Sequence, residues 1–116
     1  MKKIIFLFFI ATIATKVYSQ SKDESAIKQL LEKESATCRA GDINGHADCW
    51  VIQPYGRIVI STANGDALDV PPALMIHPSA DMVGKGGSSI NSNYKMHVTG
   101  NNAWVSHNEE STAKDG

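Results

Sequence analysis

The apolar positions of the chain begin as a continuous run, before any helical or strand period appears. Lys2 and Lys3 precede an apolar run of ten residues, Ile4 to Ile13, and short side chains follow before Gln20. This order of positive charge, apolar centre and small exit residues is typical of a secretory signal peptide. A membrane anchor would need about 20 apolar residues. We therefore predict that residues 1–19 are a signal peptide and that the mature protein is exported.

The next segment has the period of a helix. Ser21 and Glu24 form a capping box, which predicts that a helix begins at Ser21. One apolar stripe continues from there, formed by Ile27, Leu30, Leu31 and Cys38. The pattern predicts an amphipathic helix with one buried face, which Gly41 ends in a left-handed cap.

A second, shorter helix is predicted directly after the first. Asp42 is a favourable N-cap residue, and Ile43, Ala47 and Trp50 then share one face. The two helices are expected to form a corner at Gly41 and Asp42.

The pattern then changes to that of strands and turns. Arg57 to Ser61 is rich in β-branched residues and predicts a strand, which the Asn64–Gly65 turn follows. A short helix is expected to open at Pro72 and to break at Pro78. The segment Gly84 to Ser89 is interpreted as a flexible linker, because it lacks the lysine and hydroxyl spacing of a phosphate loop.

The last third predicts a hairpin of residues 93–99 and 103–113. With Asn101 and Asn102 as its turn, the register sets Tyr94 opposite Glu109, Met96 opposite His107 and Val98 opposite Val105. One face then carries Tyr94, Met96, Val98, Ala103, Val105, His107 and Glu109, and the other carries Lys95, His97, Thr99, Trp104, Ser106, Asn108 and Glu110.

Composition limits the class of protein. The chain has 116 residues, of which 42% are apolar, with 11 basic and 12 acidic side chains. Removing the three lysines of the signal segment leaves 8 basic against 12 acidic groups. This mildly acidic balance gives no reason to expect a nucleic-acid or membrane partner. The remaining length supports one domain, residues 20–116.

Two stretches, ESATCRAGDINGHADCW and VTGNNAWVSHNEE, resemble members of the nuclear transport factor 2-like superfamily, in particular its exported SnoaL-like branch. The resemblance implies an α+β cone, in which a curved antiparallel sheet wraps around N-terminal helices and leaves a pocket between them. It also implies one or two closing strands after residue 116, so the domain is expected to be incomplete at its C-terminus. The implied function is binding of a small apolar or carbonyl compound, with or without proton transfer.

The candidate pocket residues come from the predicted hairpin and the segment before it. His107 is expected on the apolar face, where the imidazole has a role in hydrogen bonding or proton transfer, and Glu109 shares that face. Tyr94, Trp50 and Tyr55 are candidate aromatic walls. The alternative for each of the five is an ordinary core or surface position. No catalytic residue can be assigned.

The sequence gives little support for a metal or cofactor site. The four histidines form no HxxxH or HxH pair, so no metal and no cofactor are expected. Cys38 and Cys49 are either a disulfide pair or two small buried residues. A second function stays open, namely an association module in which Trp104, with His97 and Ser106, forms a homodimer surface.

Overall fold

The computed structural model describes residues 2–115, with side chains from residue 21 onward. It has a mixed α+β architecture, in which helices are followed by two antiparallel sheets, as the coarse fold class predicted. The elements in chain order are α1 (Lys2–Ala40), α2 (Ile43–Ala47), β1 (Ile58–Ser61), β2 (Ala67–Val70), α3 (Pro72–Ile76), β3 (Gly87–Thr99) and β4 (Asn102–Ala113). Within the described residues, no helix has the length and apolar character that a membrane crossing requires.

Helix α1 continues through Ser21, so the predicted helix start at this residue is wrong. In an unbroken helix the backbone amides after Ser21 are bonded to the preceding turn, and a side-chain cap has nothing to satisfy. The signal-peptide prediction concerns residues 1–19, whose side chains lie outside the described part of the chain. That prediction stays untested.

The corner between α1 and α2 has the predicted form. Gly41 has a φ of 77°, and its amide donates to Cys38 O at 3.2 Å while the Asp42 amide donates to Thr37 O at 2.9 Å. This pair of bonds is the Schellman motif. The Asp42 carboxylate then accepts from the Gly45 amide at 3.0 Å and caps α2. Helix α2 ends at Ala47, which leaves Trp50 in the turn beyond it.

The predicted strand near residues 57–61 is present as β1, and it pairs with β2, which the sequence did not predict. Ile58 lies opposite Val70 and Ile60 opposite Leu68, so these four residues share one face. The Arg57 guanidinium forms an exposed ion pair with Asp69.

Helix α3 begins at Pro72, as predicted, with proline at its first position. The chain leaves the helix before Pro78. Among the described side chains, Ile76 of α3 and Pro78 just beyond it are buried, and the buried polar residues Ser35 and His46 lie on α1 and α2. The interior next to α1 is therefore unusually polar.

The β3–β4 hairpin is longer than predicted and has a different turn. Its two turn residues are Gly100 and Asn101, since Thr99 pairs with Asn102. Gly100 takes the positive φ of 56° that favours glycine at the first turn position. The turn therefore lies one residue earlier than predicted, and the pairings between the turn and Lys95 move by two.

The observed partners correct the predicted ones. Val98 lies opposite Ala103 and Met96 opposite Val105, while Asn91 lies opposite Glu109. Between the turn and Lys95 the shift of two residues preserves the faces, because side chains alternate with a period of two. Glu109 changes its predicted partner by three residues, since a bulge adds one residue to β3. The predicted linker is also partly wrong. Residues 87–89 belong to β3, because residues 111–113 pair with them across the sheet.

A β-bulge interrupts the hairpin at Asn93. Ser92 pairs with Asn108 and Lys95 with Ser106, so two residues of β3 face one residue of β4, His107. Asn93 has a φ of 55°, the left-handed conformation that the first residue of such a bulge adopts. Helix α1 packs on β3, antiparallel to it, and the bulge lies under the helix.

Candidate functional site

The bulge places Tyr94 beside His107. Their rings are stacked, with centroids 5.5 Å apart and an angle of 16° between the planes. Both side chains are half-buried and lie on the predicted helix-facing side of the hairpin. The structure thus brings together two of the five predicted residues, although the register had assigned them other neighbours.

Tyr94 is held by helix α1. Its hydroxyl donates to Glu32 Oε1 at 2.7 Å, and Lys28 Nζ lies 5.3 Å from the ring centroid. Partial burial, followed by the Glu32 carboxylate, raises the pKa of Tyr94 to about 12. The phenol is therefore protonated at neutral pH and acts as a hydrogen-bond donor.

Glu109, the third predicted residue, is fixed by two hydroxyl groups. Ser35 Oγ donates to Glu109 Oε2 at 3.2 Å, and Ser111 Oγ donates to Oε1 at 2.9 Å. Ser35 is only 3% exposed and also accepts from Asn91 Nδ2 at 3.1 Å. The Glu109 carboxylate is therefore oriented by serines, and none of its described hydrogen bonds goes to His107.

These contacts form one continuous group between α1 and the hairpin. We call it the polar row, and its members are Glu32, Tyr94, Asn91, Ser35 and Glu109. The Asn91 Oδ1 atom is buried and has no hydrogen-bond partner in the described part of the chain. A buried acceptor without a partner is uncommon in folded proteins, and it marks a place where a ligand or water donor would be stabilised.

Trp50 and Tyr55 are not part of the polar row. Trp50 packs beside His46, with ring centroids 6.0 Å apart, and its buried Nε1 has no partner among the described residues. Tyr55 lies in the loop before β1 and is 82% exposed.

A second polar pair, absent from the sequence predictions, joins the two helices. His46 is 2% exposed, and its Nε2 lies 2.7 Å from Glu34 Oε1. The two residues are 12 positions apart on different helices, so no local spacing indicated their contact. The polar row was missed in part for the same reason. Its helix members, Glu32 and Ser35, do share a helical face with Lys28 and Arg39, and that spacing was the available signal.

Both cysteines are free thiols. Burial raises the pKa of Cys38 and that of Cys49, so the thiolate is disfavoured in each. No cluster of three or more His, Cys, Asp or Glu side chains suited to a metal occurs in the part of the chain that is described.

Two cavities lie between helix α1 and the hairpin, and one of them borders the polar row. One, of about 460 Å³, lies between the helix and the hairpin turn and is lined in part by Ile27 and Val98. The other, of about 310 Å³, includes Ser35, Glu32 and Arg39. The row is therefore accessible from the cavity that Glu32 and Ser35 line.

No protein-family model, curated protein or solved structure matches the chain.

Proposed function

We propose that the chain is an exported, small-ligand-binding protein of the SnoaL-like kind, with its ligand between α1 and the β3–β4 hairpin. In this proposal the hairpin is part of a curved antiparallel sheet of the nuclear transport factor 2-like type. The polar row supports it, because a few directed polar groups next to a cavity are the usual composition of a small-molecule site.

The polar groups also indicate the kind of ligand contact. The Tyr94 phenol gives its one O–H to Glu32, so its oxygen remains free only as an acceptor, and His107 supplies a ring nitrogen beside it. A donor group of a ligand would be accepted by the Tyr94 oxygen or by the imidazole. Proton transfer at a substrate carbon would need a positioned base. The phenol, with a pKa of about 12, is a poor base at neutral pH, and the Glu109 carboxylate is bonded to Ser35 and Ser111 and not to His107. Binding is therefore the function that the group supports best.

The test uses N-phenyl-1-naphthylamine, an apolar fluorescent probe with one N–H donor. The wild-type chain should bind it saturably at one site. His107→Ala should weaken binding by about fivefold or more, because it removes an acceptor and the stacked ring. His97→Ala is the matched control, because His97 lies on the outer face of the same strand pair and should leave binding unchanged. Equal effects of the two substitutions would contradict the proposal.

A second candidate function, association of two copies, is supported by the outer face of the hairpin. Trp104 is 58% exposed and lies opposite His97. An exposed tryptophan of this kind is a common centre of a protein interface. Sedimentation should then show a dimer that Trp104→Ser weakens and that Val51→Ser, a change in an exposed loop, does not. A monomer at all concentrations would exclude this function.

A further inference from the structure

A larger cavity, of about 550 Å³, lies where the end of α1 meets the base of the hairpin. It is lined by Arg39, Val83, Gly84, Lys85, Gly86, Ala113, Lys114 and Asp115. We call it the basic cleft. None of the five residues predicted from the sequence lines it, and it therefore needs its own explanation.

The charges around the basic cleft are unbalanced. Arg39, Lys85 and Lys114 are cationic, and Asp115 is the one acidic residue of the lining. None of the three cations forms a salt bridge within residues 21–115, where the ion pairs are His46–Glu34 and Arg57–Asp69. The cleft therefore attracts anions.

Arg39 is the cation of the basic cleft whose hydrogen bonding is incomplete. Its Nε is buried and has no hydrogen-bond partner in the described residues. A buried, cationic N–H group without a partner is costly, and it is satisfied best by an oxyanion, which a guanidinium binds with paired, charge-assisted hydrogen bonds. The position of Arg39 in the lining makes the cleft the place for such a partner.

Two backbone amides that line the cleft already form hydrogen bonds with the end of α1. The Gly84 amide donates to Cys38 O at 3.0 Å, and the Gly86 amide donates to Arg39 O at 2.8 Å. A Cβ on Gly84 would lie 2.4 Å from Arg39 O, so only glycine permits this approach. These bonds also satisfy carbonyls at the C-terminus of α1, whose partial negative charge would otherwise oppose an anion. The Gly84 and Gly86 amides are therefore not available to an anion, and the cationic side chains of the lining are its expected partners.

The rest of the lining is apolar. Val83 and Ala113 contribute alkyl groups, and the Cδ of Lys114 lies 3.4 Å from the position of a Cβ on Gly86, so the stem of this lysine covers the glycine segment. A free inorganic ion would leave this surface unused, whereas an organic anion would cover it.

We propose that the basic cleft binds the oxyanion group, a carboxylate or a sulfonate, of a small organic molecule with an apolar body. This proposal rests on the proposed ligand-binding function and adds the ligand class. Arg39 connects the two sites, because it lines both the basic cleft and the cavity that contains Ser35 and Glu32 of the polar row.

A matched pair of probes tests the charge. N-phenyl-1-naphthylamine is uncharged, and 8-anilino-1-naphthalenesulfonate is the same skeleton with a sulfonate. The full chain should bind the sulfonate at least about tenfold more tightly, as expected for charge-assisted hydrogen bonds. Raising the salt concentration should reduce this difference, because salt screens the attraction.

Substitutions then locate the site. Arg39→Gln should abolish the preference for the sulfonate over the uncharged probe. Arg57→Gln is the matched control. Arg57 is exposed and lies next to β1, so this substitution removes one positive charge outside the basic cleft. If Arg39→Gln fails to fold, as judged by circular dichroism, the double change Lys85→Gln and Lys114→Gln tests the same prediction with exposed residues.

The outcomes separate the two proposals. Equal affinity for both probes, unaffected by the cleft substitutions, would overturn the inference and leave the proposed ligand-binding function standing. Saturable binding of neither probe would overturn the proposed function as well. A preference for the sulfonate that Arg57→Gln reduces as much as Arg39→Gln would show general charge attraction and would also overturn the inference.

Discussion

Ser35 is the residue on which the polar row depends most, and its replacement gives a prediction with a definite magnitude. Ser35→Ala removes one hydroxyl that both donates to Glu109 and accepts from Asn91. Leaving a buried polar group without its partner costs about 1–3 kcal/mol. The lower part of this range applies, because Glu109 is exposed and water can replace the lost donor.

Helix propensity acts in the opposite direction. Alanine is the better helix former by roughly 0.5 kcal/mol, so the net loss should be about 1 kcal/mol of the free energy of unfolding. Ser25→Ala on the exposed side of the same helix provides the control. Ser25→Ala gains helix propensity in the same way. The difference in the free energy of unfolding between the two variants therefore measures the hydrogen bonds of Ser35.

Urea unfolding followed by circular dichroism measures both variants. We expect Ser35→Ala to be less stable than Ser25→Ala by about 1–2 kcal/mol, with the same dependence on urea, and to have a melting temperature lower by roughly 4–8 °C. If Ser35→Ala is as stable as Ser25→Ala, the polar row does not contribute to folding and its assignment as an ordered group is wrong.

Three further predictions concern the pH dependence, the thiols and the signal segment. Phenolate absorbance should show that Tyr94 ionises at about pH 12. The free energy of unfolding should fall as the pH rises from 10.0, the ordinary pKa of tyrosine, to about 12, and Glu32→Gln should lower the pKa of Tyr94. Cys38 and Cys49 should react slowly with a thiol reagent in the native state and rapidly in urea, because burial raises their pKa values, and rapid native labelling would contradict this. Mass spectrometry of exported protein should find Gln20 at the N-terminus, whereas a mature form that retains residues 1–19 would exclude cleavage.

Features set by a few adjacent residues were predictable from the sequence. The Gly41 cap, the Asp42 N-cap and the start of α3 at Pro72 all follow from backbone preferences that act within one turn. The turn of the main hairpin is also local, but either Gly100 or Asn101 can open it. The choice between them moved the register by two residues and left the faces intact.

Features that depend on distant partners were not predictable. Residues 87–89 have the composition of a linker and become a strand because residues 111–113 supply hydrogen bonds. The bulge at Asn93 shifts the alternation by one residue, so that Asn91 and Tyr94 both contact α1. Residues 91–93 are all polar, so the hydrophobic pattern of the sequence does not show this shift. The apolar stripe of α1 was also a poor guide to its buried face. Leu30 is 45% exposed, whereas Ser35 is buried.

The polar side chains of α1 that contact the hairpin connect these differences to the candidate site. A helix normally turns its apolar stripe toward a sheet, because burial of apolar area dominates packing. Here Glu32 and Ser35 face the hairpin and bond to Tyr94, Asn91 and Glu109. A polar interface of this kind gives less stability than an apolar one and leaves acceptors such as Asn91 Oδ1 without a partner. Departures from the packing rule concentrate at functional sites, where a bound molecule completes the contacts. The arrangement that made the sequence a poor guide to the packing is thus the same arrangement that makes this interface suitable for a ligand.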